Sequence, residues 1–305
     1  MAKLPTPLRG VVPPMITPLL DRDKLDVKGT EKLVEHILGG GVHGLFILGT
    51  TGNAPALSYR LREELIERVC KQVGDRVPIL VGITDTSFVG SVNIAKKAAD
   101  CGAAGLVLAH PYYLSAAQAE ILEYLENLAP ELPLPMFLYN MPSCTKLTFE
   151  PAMVRKAADI DGIVGLKDSS ANMVYFHNLQ TVLRDKPDFS LLVGPEELLG
   201  ESVLLGGHGG VCGGANIYPQ LYVELYDAAY AKDVDKVNKL HDKVMDISNA
   251  IYSVGKYGSS YLSGVKCAVS CLGICNDFMA EPFHRFGAAQ RKIIDERLVK
   301  LGIKK

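Results

Sequence analysis

The chain has 305 residues, enough for one large domain or two medium ones. Apolar residues make up 48% and charged residues 22%, which is ordinary for a folded chain with a substantial core and excludes general disorder. The formal net charge is -2, so no basic excess attracts nucleic acid or an anionic membrane, and we expect neither as a partner.

Eight short apolar runs, each bounded by Gly, Pro or polar residues, are predicted to be β-strands. They cover residues 11–17, 44–49, 78–84, 105–111, 135–140, 162–168, 190–196 and 209–215. Most of them lack polar alternation, which is typical of parallel strands that are covered on both faces.

Segments with helical periodicity lie between these runs. They cover residues 26–38, 59–73, 89–101, 116–128, 150–158, 174–183 and 197–205. Ser58 is predicted to cap the second of them. After residue 232 no strand-like run of note follows, and helices are predicted at 234–254, 261–272 and 282–301.

Eight strand–helix units predict an α/β fold, a (β/α)8 TIM barrel whose usual size is ~250 residues, with a C-terminal helical extension. We expect the catalytic barrel over residues 1–231 and the helical region over residues 232–305. A doubly wound open sheet is the alternative, but no G-x-G-x-x-G follows the first strand. The glycine-rich segments 206–210, which reads G-G-H-G-G, and 213–214 favour tight closure of the barrel over a phosphate site.

Two reactive side chains stand at the ends of neighbouring predicted strands, where such barrels carry their chemistry. Lys167 follows an apolar run, where lost hydration disfavours the ammonium, and a neutral amine can form a Schiff base with a ketone. Tyr139 ends the preceding strand, ~4.8 Å away in a sheet, and its phenol can relay protons. A lysine that reaches water or pairs with Asp168, and a tyrosine that only packs, are the alternatives.

The turn at 49–52 reads G-T-T-G, and its N–H groups with the hydroxyls of Thr50 and Thr51 suit a small carboxylate. A simple Gly-Thr turn is the alternative. We also predict that Gly52 and Val211 bind substrate. No H-x-H or H-E-x-x-H occurs, so we expect no metal, and no cofactor is predicted.

No apolar stretch approaches the ~18 residues of a membrane span, and the N-terminus shows no signal-peptide core. The seven cysteines form no C-x-x-C pair, so we expect reduced, buried thiols in a cytoplasmic protein. No base at a telling spacing marks Cys144, just after the fifth strand, as a nucleophile.

Five motifs resemble those of one known family in their order and spacing over nearly the whole chain. They are G-T-T-G at 49–52, P-Y-Y at 111–113, Y-N-M-P at 139–142, G-L-K-D-S at 165–169 and G-G-H-G at 206–209. The family is that of dihydrodipicolinate synthase and N-acetylneuraminate lyase, the class I Schiff-base aldolases. The resemblance implies a barrel that is usually a homotetramer, a dimer of dimers.

The resemblance also implies residue roles. Lys167 would form an imine with pyruvate or another 2-oxo acid, and Tyr139 would relay protons. Thr50 and Thr51 would assist this relay and bind the carboxylate. Tyr113, the second tyrosine of P-Y-Y, would reach into the site of a neighbouring subunit.

Departures from the family pattern bear on the substrate. Family members usually read G-T-T-G-E, whereas this chain has Asn53. Dihydrodipicolinate synthases usually carry Arg where this chain has Cys144, and a thiol cannot hold a carboxylate as a guanidinium does. The loss costs about 1.5–3 kcal/mol, which disfavours synthase activity.

Ser169 and Glu197 stand where the neuraminate lyases place residues that contact the substrate, which favours a sugar-acid aldolase. A backbone contact of Ser169, and a role of Glu197 in starting a helix, are the alternatives.

We therefore predict a lyase that reversibly cleaves a 4-hydroxy-2-oxo acid to pyruvate and an aldehyde. A 2-oxo-3-deoxy sugar acid or an N-acetylneuraminate-like compound is the expected substrate. Alternatives are dihydrodipicolinate synthase, a dehydratase that uses the same imine, and a protein that only binds a 2-oxo acid. Lys167 and Tyr139 argue against the last, because a pure binder needs neither a nucleophile nor a relay.

Overall fold

Eight short strands form one parallel sheet that curls into a barrel in the computed structural model, which describes residues 2–304. They are β1 (Gly10–Val11), β2 (Leu45–Ile47), β3 (Ile79–Gly82), β4 (Gly105–Leu108), β5 (Met136–Asn140), β6 (Ile163–Asp168), β7 (Ser190–Val193) and β8 (Gly209–Gly210). From β2 to β8 each strand pairs with the next along the chain, and β8 pairs with β1. The predicted (β/α)8 fold is confirmed.

Backbone hydrogen bonds between the segment after β1 and strand β2 complete the barrel. The His43 N–H donates to the Val11 carbonyl at 2.9 Å. Phe46 donates to the Pro13 carbonyl at 2.9 Å and accepts from the Met15 N–H at 2.8 Å. The strand predicted over 11–17 is regular over far fewer residues, because Pro13 has no N–H to give to the ladder.

Glycines form the seam between β1 and β8. Gly209 pairs with Gly10 and has a φ of +148°. A Cβ added at Gly209 would collide with the backbone of Gly10, so no other residue fits this position. Gly209 therefore serves the close approach of the two strands, which the sequence predicts for the glycines of this stretch.

Helices follow most of the strands and cover the outside of the barrel. They are α1 (Val27–Leu38), α2 (Tyr59–Val73), α3 (Phe88–Asp100), α4 (Gln118–Leu128), α5 (Pro142–Thr145), α6 (Pro151–Ala157), α7 (Met173–Val182), α8 (Leu199–Leu204), α9 (Pro219–Tyr230), α10 (Val234–Ile247), α11 (Ser260–Cys271) and α12 (Ala288–Lys300). Ser58 accepts the Leu61 N–H at 3.2 Å, which confirms the predicted cap of α2. No helix within residues 2–304 has the length and apolar character that crossing a bilayer requires.

Several elements differ from the sequence-based expectation. Helix α9 was not among the predicted helices, although Leu221, Tyr222, Leu225 and Ala229 are buried at helical spacing on one face of it. The helix predicted over 234–254 is wrong at its end, since α10 stops at Ile247 and a π-helix, Ser248–Tyr252, follows. A two-stranded hairpin, Leu19–Asp21 with Lys24–Leu25, was also missed.

The C-terminal part of the chain continues the packing of the barrel helices. The expected boundary after residue 231 falls between α9 and α10, and α10 packs against α9. Helix α12 begins later than the prediction of 282–301, and residues 281–283 instead line a cavity at the mouth of the barrel.

Side chains alternate between two apolar clusters along each strand. In β5, Phe137 and Tyr139 point into the barrel, whereas Met136 and Leu138 pack under the helices. This period of two follows from the pleat of a strand. The interior is therefore filled with side chains and closed below the level of Tyr139.

Not all of the cysteine side chains are buried, contrary to the expectation from the sequence. All seven cysteines are unpaired with one another, and Cys70, Cys212, Cys267 and Cys271 are buried. Cys144 is exposed, which corrects the prediction for this residue.

Gly165 lies on the inner face of β6, and a Cβ added there would sit 2.5 Å from the Phe137 ring and 2.7 Å from the Ser190 carbonyl oxygen. We expect Gly165→Ala to lower the free energy of unfolding by about 1–3 kcal/mol through overpacking. Urea denaturation measures this change. The control is Gly258→Ala, at an exposed position with no atom within 4 Å of the new Cβ, and equal stability of the two variants would contradict the expectation.

Candidate active site

The parallel register of β5 and β6 places the two principal candidate residues side by side. Tyr139 pairs with Lys167, and Asn140 pairs with Asp168. Because side chains alternate, Tyr139 and Lys167 share the inner face and the other pair lies outside. Asn140 donates to Asp168 at 2.8 Å, and Ser170 donates to it at 2.9 Å, so Asp168 is bound away from Lys167.

Lys167 stands at the carboxyl-terminal mouth of the barrel among aromatic rings. Its side chain is nearly buried, at 6% exposure. Its Nζ lies 4.0 Å from the centre of the Tyr139 ring and 5.3 Å from that of Phe46. The amine therefore faces an aromatic wall on one side and open cavity on the other, within reach of a small substrate.

The turn after β2 brings hydroxyl groups to this pair. Thr50 Oγ1 lies 3.2 Å from the Tyr139 hydroxyl, and Thr51 Oγ1 lies 3.3 Å from the hydroxyl of Tyr261 in α11. Leu48 and Asn53, on either side of the turn, have φ values of +59° and +55°. Such conformations cost of order 1–3 kcal/mol each, and they concentrate where a site needs an exact geometry.

Two consecutive carboxylates join the turn after β7 to other parts of the site. Glu196 is almost fully buried and accepts from the N–H groups of Gly213 at 2.6 Å and Gly214 at 3.1 Å, and from the Tyr252 hydroxyl. Glu197 accepts from the hydroxyl of Ser248. The two hydroxyl donors, Tyr252 and Ser248, both belong to the π-helix. Their hydrogen bonds therefore attach the C-terminal helices to the mouth of the barrel.

A cavity of about 900 Å³ opens above Lys167. Seven of the residues predicted from the sequence line it: Lys167, Tyr139, Thr50, Thr51, Ser169, Glu197 and Val211. Gly52 does not, and its carbonyl instead accepts from the Thr17 hydroxyl at 2.8 Å. Tyr113 does not either, because its side chain is 84% exposed between β4 and α4.

Other lining residues were missed from the sequence. Glu196 stands at the end of a predicted strand, a position that signals function in a barrel. Tyr252, Tyr261 and Phe283 come from the C-terminal part, where no strand end marked them. Cys144 was not missed, because it lines the cavity at the position where the family pattern predicts a substrate-binding arginine.

The profile of the dihydrodipicolinate synthetase family matches residues 7–299. The 4-hydroxy-tetrahydrodipicolinate synthase of Kosmotoga olearia is 28% identical over 296 residues, which are 97% of this chain and 99% of that protein. The putative 2-dehydro-3-deoxy-D-gluconate aldolase YagE of Escherichia coli K12 is 32% identical over 240 residues, 78% of this chain and 80% of its own.

Solved structures agree with the fold. The structure of dihydrodipicolinate synthase from Bacteroides thetaiotaomicron is 55% identical, with a TM-score of 0.95 over 97% of this chain and 99% of that one. The crystal structure of YagE in complex with pyruvate has a TM-score of 0.91 at 28% identity, with the same two coverages.

The fold and these similarities define a lyase of the class I aldolase type. The chain belongs to the dihydrodipicolinate synthetase family, whose profile spans nearly its whole length.

The buried carboxyl of Glu196 predicts a pH effect on stability. Burial, and then the charge of Glu197, raise its pKa from 4.5 to about 7. Because the folded state holds this proton more tightly, the stabilisation is complete below about pH 4.5 and is lost as the pH rises through about 7. We expect the wild type to lose up to roughly 3 kcal/mol of unfolding free energy relative to Glu196→Gln over this range.

Denaturation of both proteins at several pH values measures this difference. The control is Glu281→Gln, because the hydrogen bond from Arg22 lowers the pKa of Glu281 below its ordinary 4.5. The difference in unfolding free energy between Glu281→Gln and the wild type is expected to stay constant above pH 5. If the difference in unfolding free energy between Glu196→Gln and the wild type were also independent of pH, the prediction would be contradicted.

Proposed function

We propose that the protein reversibly cleaves a 4-hydroxy-2-oxo acid to pyruvate and an aldehyde, with Lys167 as the Schiff-base lysine. The observation that carries this proposal is the juxtaposition of the Lys167 amine, the Tyr139 phenol and the Thr50 hydroxyl at one end of the cavity. An amine and a neighbouring proton relay are the groups that an imine mechanism requires.

The proposed steps use these groups in turn. The amine of Lys167 attacks the C2 carbonyl, and loss of water gives a protonated imine. Tyr139, with Thr50 beside its hydroxyl, takes the proton of the C4 hydroxyl. The C3–C4 bond then breaks, its electron pair moves towards the imine nitrogen, and the aldehyde leaves. The enamine takes a proton at C3, and water releases pyruvate from Lys167. The Thr51 hydroxyl and the N–H groups of its turn hold the carboxylate.

The charges around the cavity favour an uncharged, hydroxylated aldehyde. Among the described residues that line it, Lys167 is the only lysine or arginine, whereas Glu196, Glu197 and Glu281 contribute carboxylates. The guanidinium of Arg22, close to the mouth, is paired with Glu281 at 2.8 Å. A second substrate carboxylate would therefore lack a cationic partner, but hydroxyl groups would find acceptors.

Ser169 and Glu197 support the same substrate class from the wall of the cavity. Both line it. The carboxylate of Glu197 is a natural acceptor for sugar hydroxyls, although it also accepts from Ser248. YagE, whose name refers to a 2-dehydro-3-deoxy sugar acid, is among the similar proteins, and its structure in complex with pyruvate shares the fold. We therefore propose a 2-oxo-3-deoxy sugar acid or an N-acetylneuraminate-like compound as the substrate.

Dihydrodipicolinate synthase activity, the condensation of pyruvate with aspartate semialdehyde, is the second candidate. The similarity to the Bacteroides thetaiotaomicron protein, at 55% identity, favours it. The missing guanidinium at Cys144 opposes it, because the semialdehyde brings a second carboxylate.

We further propose that copies of the chain assemble, with Tyr113 reaching a neighbouring site. Tyr113 and Leu114 are strongly exposed on the segment after β4. A second hollow of about 180 Å³ lies beside the main cavity and shares Thr50 and Tyr139 with it. Its mostly apolar lining includes Tyr112, and it offers room for an aromatic ring from another copy. A homotetramer, a dimer of dimers, is the assembly we propose.

Borohydride trapping tests the Schiff base. After incubation with pyruvate and reduction, we expect an adduct confined to Lys167 by peptide mass spectrometry, and both adduct and turnover should vanish in Lys167→Ala. Lys266→Met is the matched control, because Lys266 is equally buried but does not line the cavity. An adduct at Lys266, or no adduct in the folded wild type at several pH values, would refute the mechanism.

Substitution at Cys144 tests the substrate class. Wild type is expected to cleave 2-oxo-3-deoxy sugar acids faster than it condenses pyruvate with aspartate semialdehyde. We expect Cys144→Arg to raise kcat/KM for the semialdehyde by roughly ten- to a hundredfold, because it supplies the charged hydrogen bond that is missing. Cys144→Met, which adds bulk without charge, is the control. A wild type that already prefers the semialdehyde would instead establish synthase activity.

A further inference from the structure

Tyr261 reaches the substrate end of the cavity from outside the barrel. It belongs to α11, lines the cavity, and its hydroxyl lies 3.3 Å from Thr51 Oγ1. The same hydroxyl is pressed against Gly213, where an added Cβ would collide with it. The phenol oxygen is therefore held between the turn after β2 and the turn after β8.

This contact decides what the Thr51 hydroxyl can do. A threonine hydroxyl has a single proton, and a carboxylate can only accept hydrogen bonds. If Thr51 gave its proton to Tyr261, none would remain for a substrate carboxylate. When Tyr261 donates to Thr51 Oγ1 instead, the Thr51 proton is free to point into the cavity.

The surroundings of Tyr261 keep the proton on its hydroxyl, within reach of Thr51 Oγ1. Burial raises the pKa of this phenol well above its ordinary value, so it retains its proton at every working pH. Its ring meets that of Tyr252 edge to face, with the centres 4.8 Å apart, and Tyr252 in turn donates to Glu196. The ring is thus held from the side while its hydroxyl faces Thr51.

We propose that Tyr261 is a positioning residue for carboxylate binding, which donates to Thr51 and so directs the Thr51 proton at the carboxylate of the 2-oxo acid. This inference rests on the proposed function, since it assigns a role at the same site. It makes the C-terminal helices part of substrate recognition, because the carboxylate is held by a barrel residue that α11 orients.

Tyr222 provides a matched control. Its hydroxyl is pressed against Gly214, the neighbour of Gly213, in the same way as that of Tyr261. Within residues 2–304 the Tyr222 hydroxyl has no hydrogen-bond partner, and its side chain does not line the cavity. Tyr261→Phe and Tyr222→Phe each remove a hydroxyl that packs against the Gly213–Gly214 turn. Only the Tyr261 hydroxyl lies within hydrogen-bond distance of Thr51.

The experiment measures the pyruvate concentration that gives half-maximal trapping at Lys167, together with kcat at saturating substrate. We expect Tyr261→Phe to raise this concentration roughly five- to tenfold, the effect of one hydrogen bond, and to leave kcat within about twofold. Tyr222→Phe should leave both unchanged. Thr51→Val should weaken pyruvate binding by at least as much as Tyr261→Phe, and the double variant should be no worse than Thr51→Val alone.

The outcomes separate the inference from the proposed function. If the wild type forms no adduct at Lys167, the function itself fails. If the wild type forms the adduct but Tyr261→Phe binds pyruvate normally, only the positioning role is refuted, and a loss of thermal stability alone would show a structural role. Additive effects of Thr51→Val and Tyr261→Phe would likewise overturn it, because independent groups do not act through one another.

Discussion

The parallel pairing of β5 with β6 is the constraint on which the site depends. A slip of β6 by one residue would turn Lys167 towards the helices and bring Asp168 into the barrel beside Tyr139. The packing below the site opposes such a slip, because the ring of Phe137 occupies the space that a glycine leaves in β6. The geometry of the reactive pair is thus held by ordinary core packing rather than by contacts within the site.

The wall of the cavity depends on a second kind of contact, between the barrel and the C-terminal helices. Glu196 and Glu197 are adjacent in sequence, yet each accepts from a different residue of the π-helix. A π-helix is often found at functional sites, where it shifts side chains out of the ordinary helical pattern. Here it brings Ser248 and Tyr252 to the same turn of the barrel, and the cavity is therefore built from two distant parts of the chain.

The parts of the site that sequence reasoning found are those that local patterns mark. Lys167 and Tyr139 each end an apolar run, and period-two alternation is enough to place them on one face of neighbouring strands. Tyr252 and Tyr261 carry no such mark, because their role depends on how α10 and α11 pack against the barrel. Contacts between residues so far apart in the chain produce no periodic pattern in the sequence.

Other differences have equally local causes. Glu196 lies at a strand end, but the family pattern points to its neighbour Glu197, and only the folded structure shows that both line the cavity. The first and last strands proved much shorter than their apolar runs, since Pro13 and the turn at Gly213 interrupt the ladder. The role of Tyr113 stays a prediction, because it concerns a second copy of the chain.

The glycine seam has a consequence for the time course of folding. Strands β2 to β7 each pair with a neighbour in sequence, so they can form as the chain leaves the ribosome, whereas Gly10 must wait for Gly209. At ~5–20 residues per second, this wait lasts roughly 10 s or more. During that interval the apolar side chains of Leu8 and Val12, destined for the barrel interior, have no closed barrel to enter. The nascent chain thus leaves these apolar N-terminal side chains without their final packing until β8 has been synthesised.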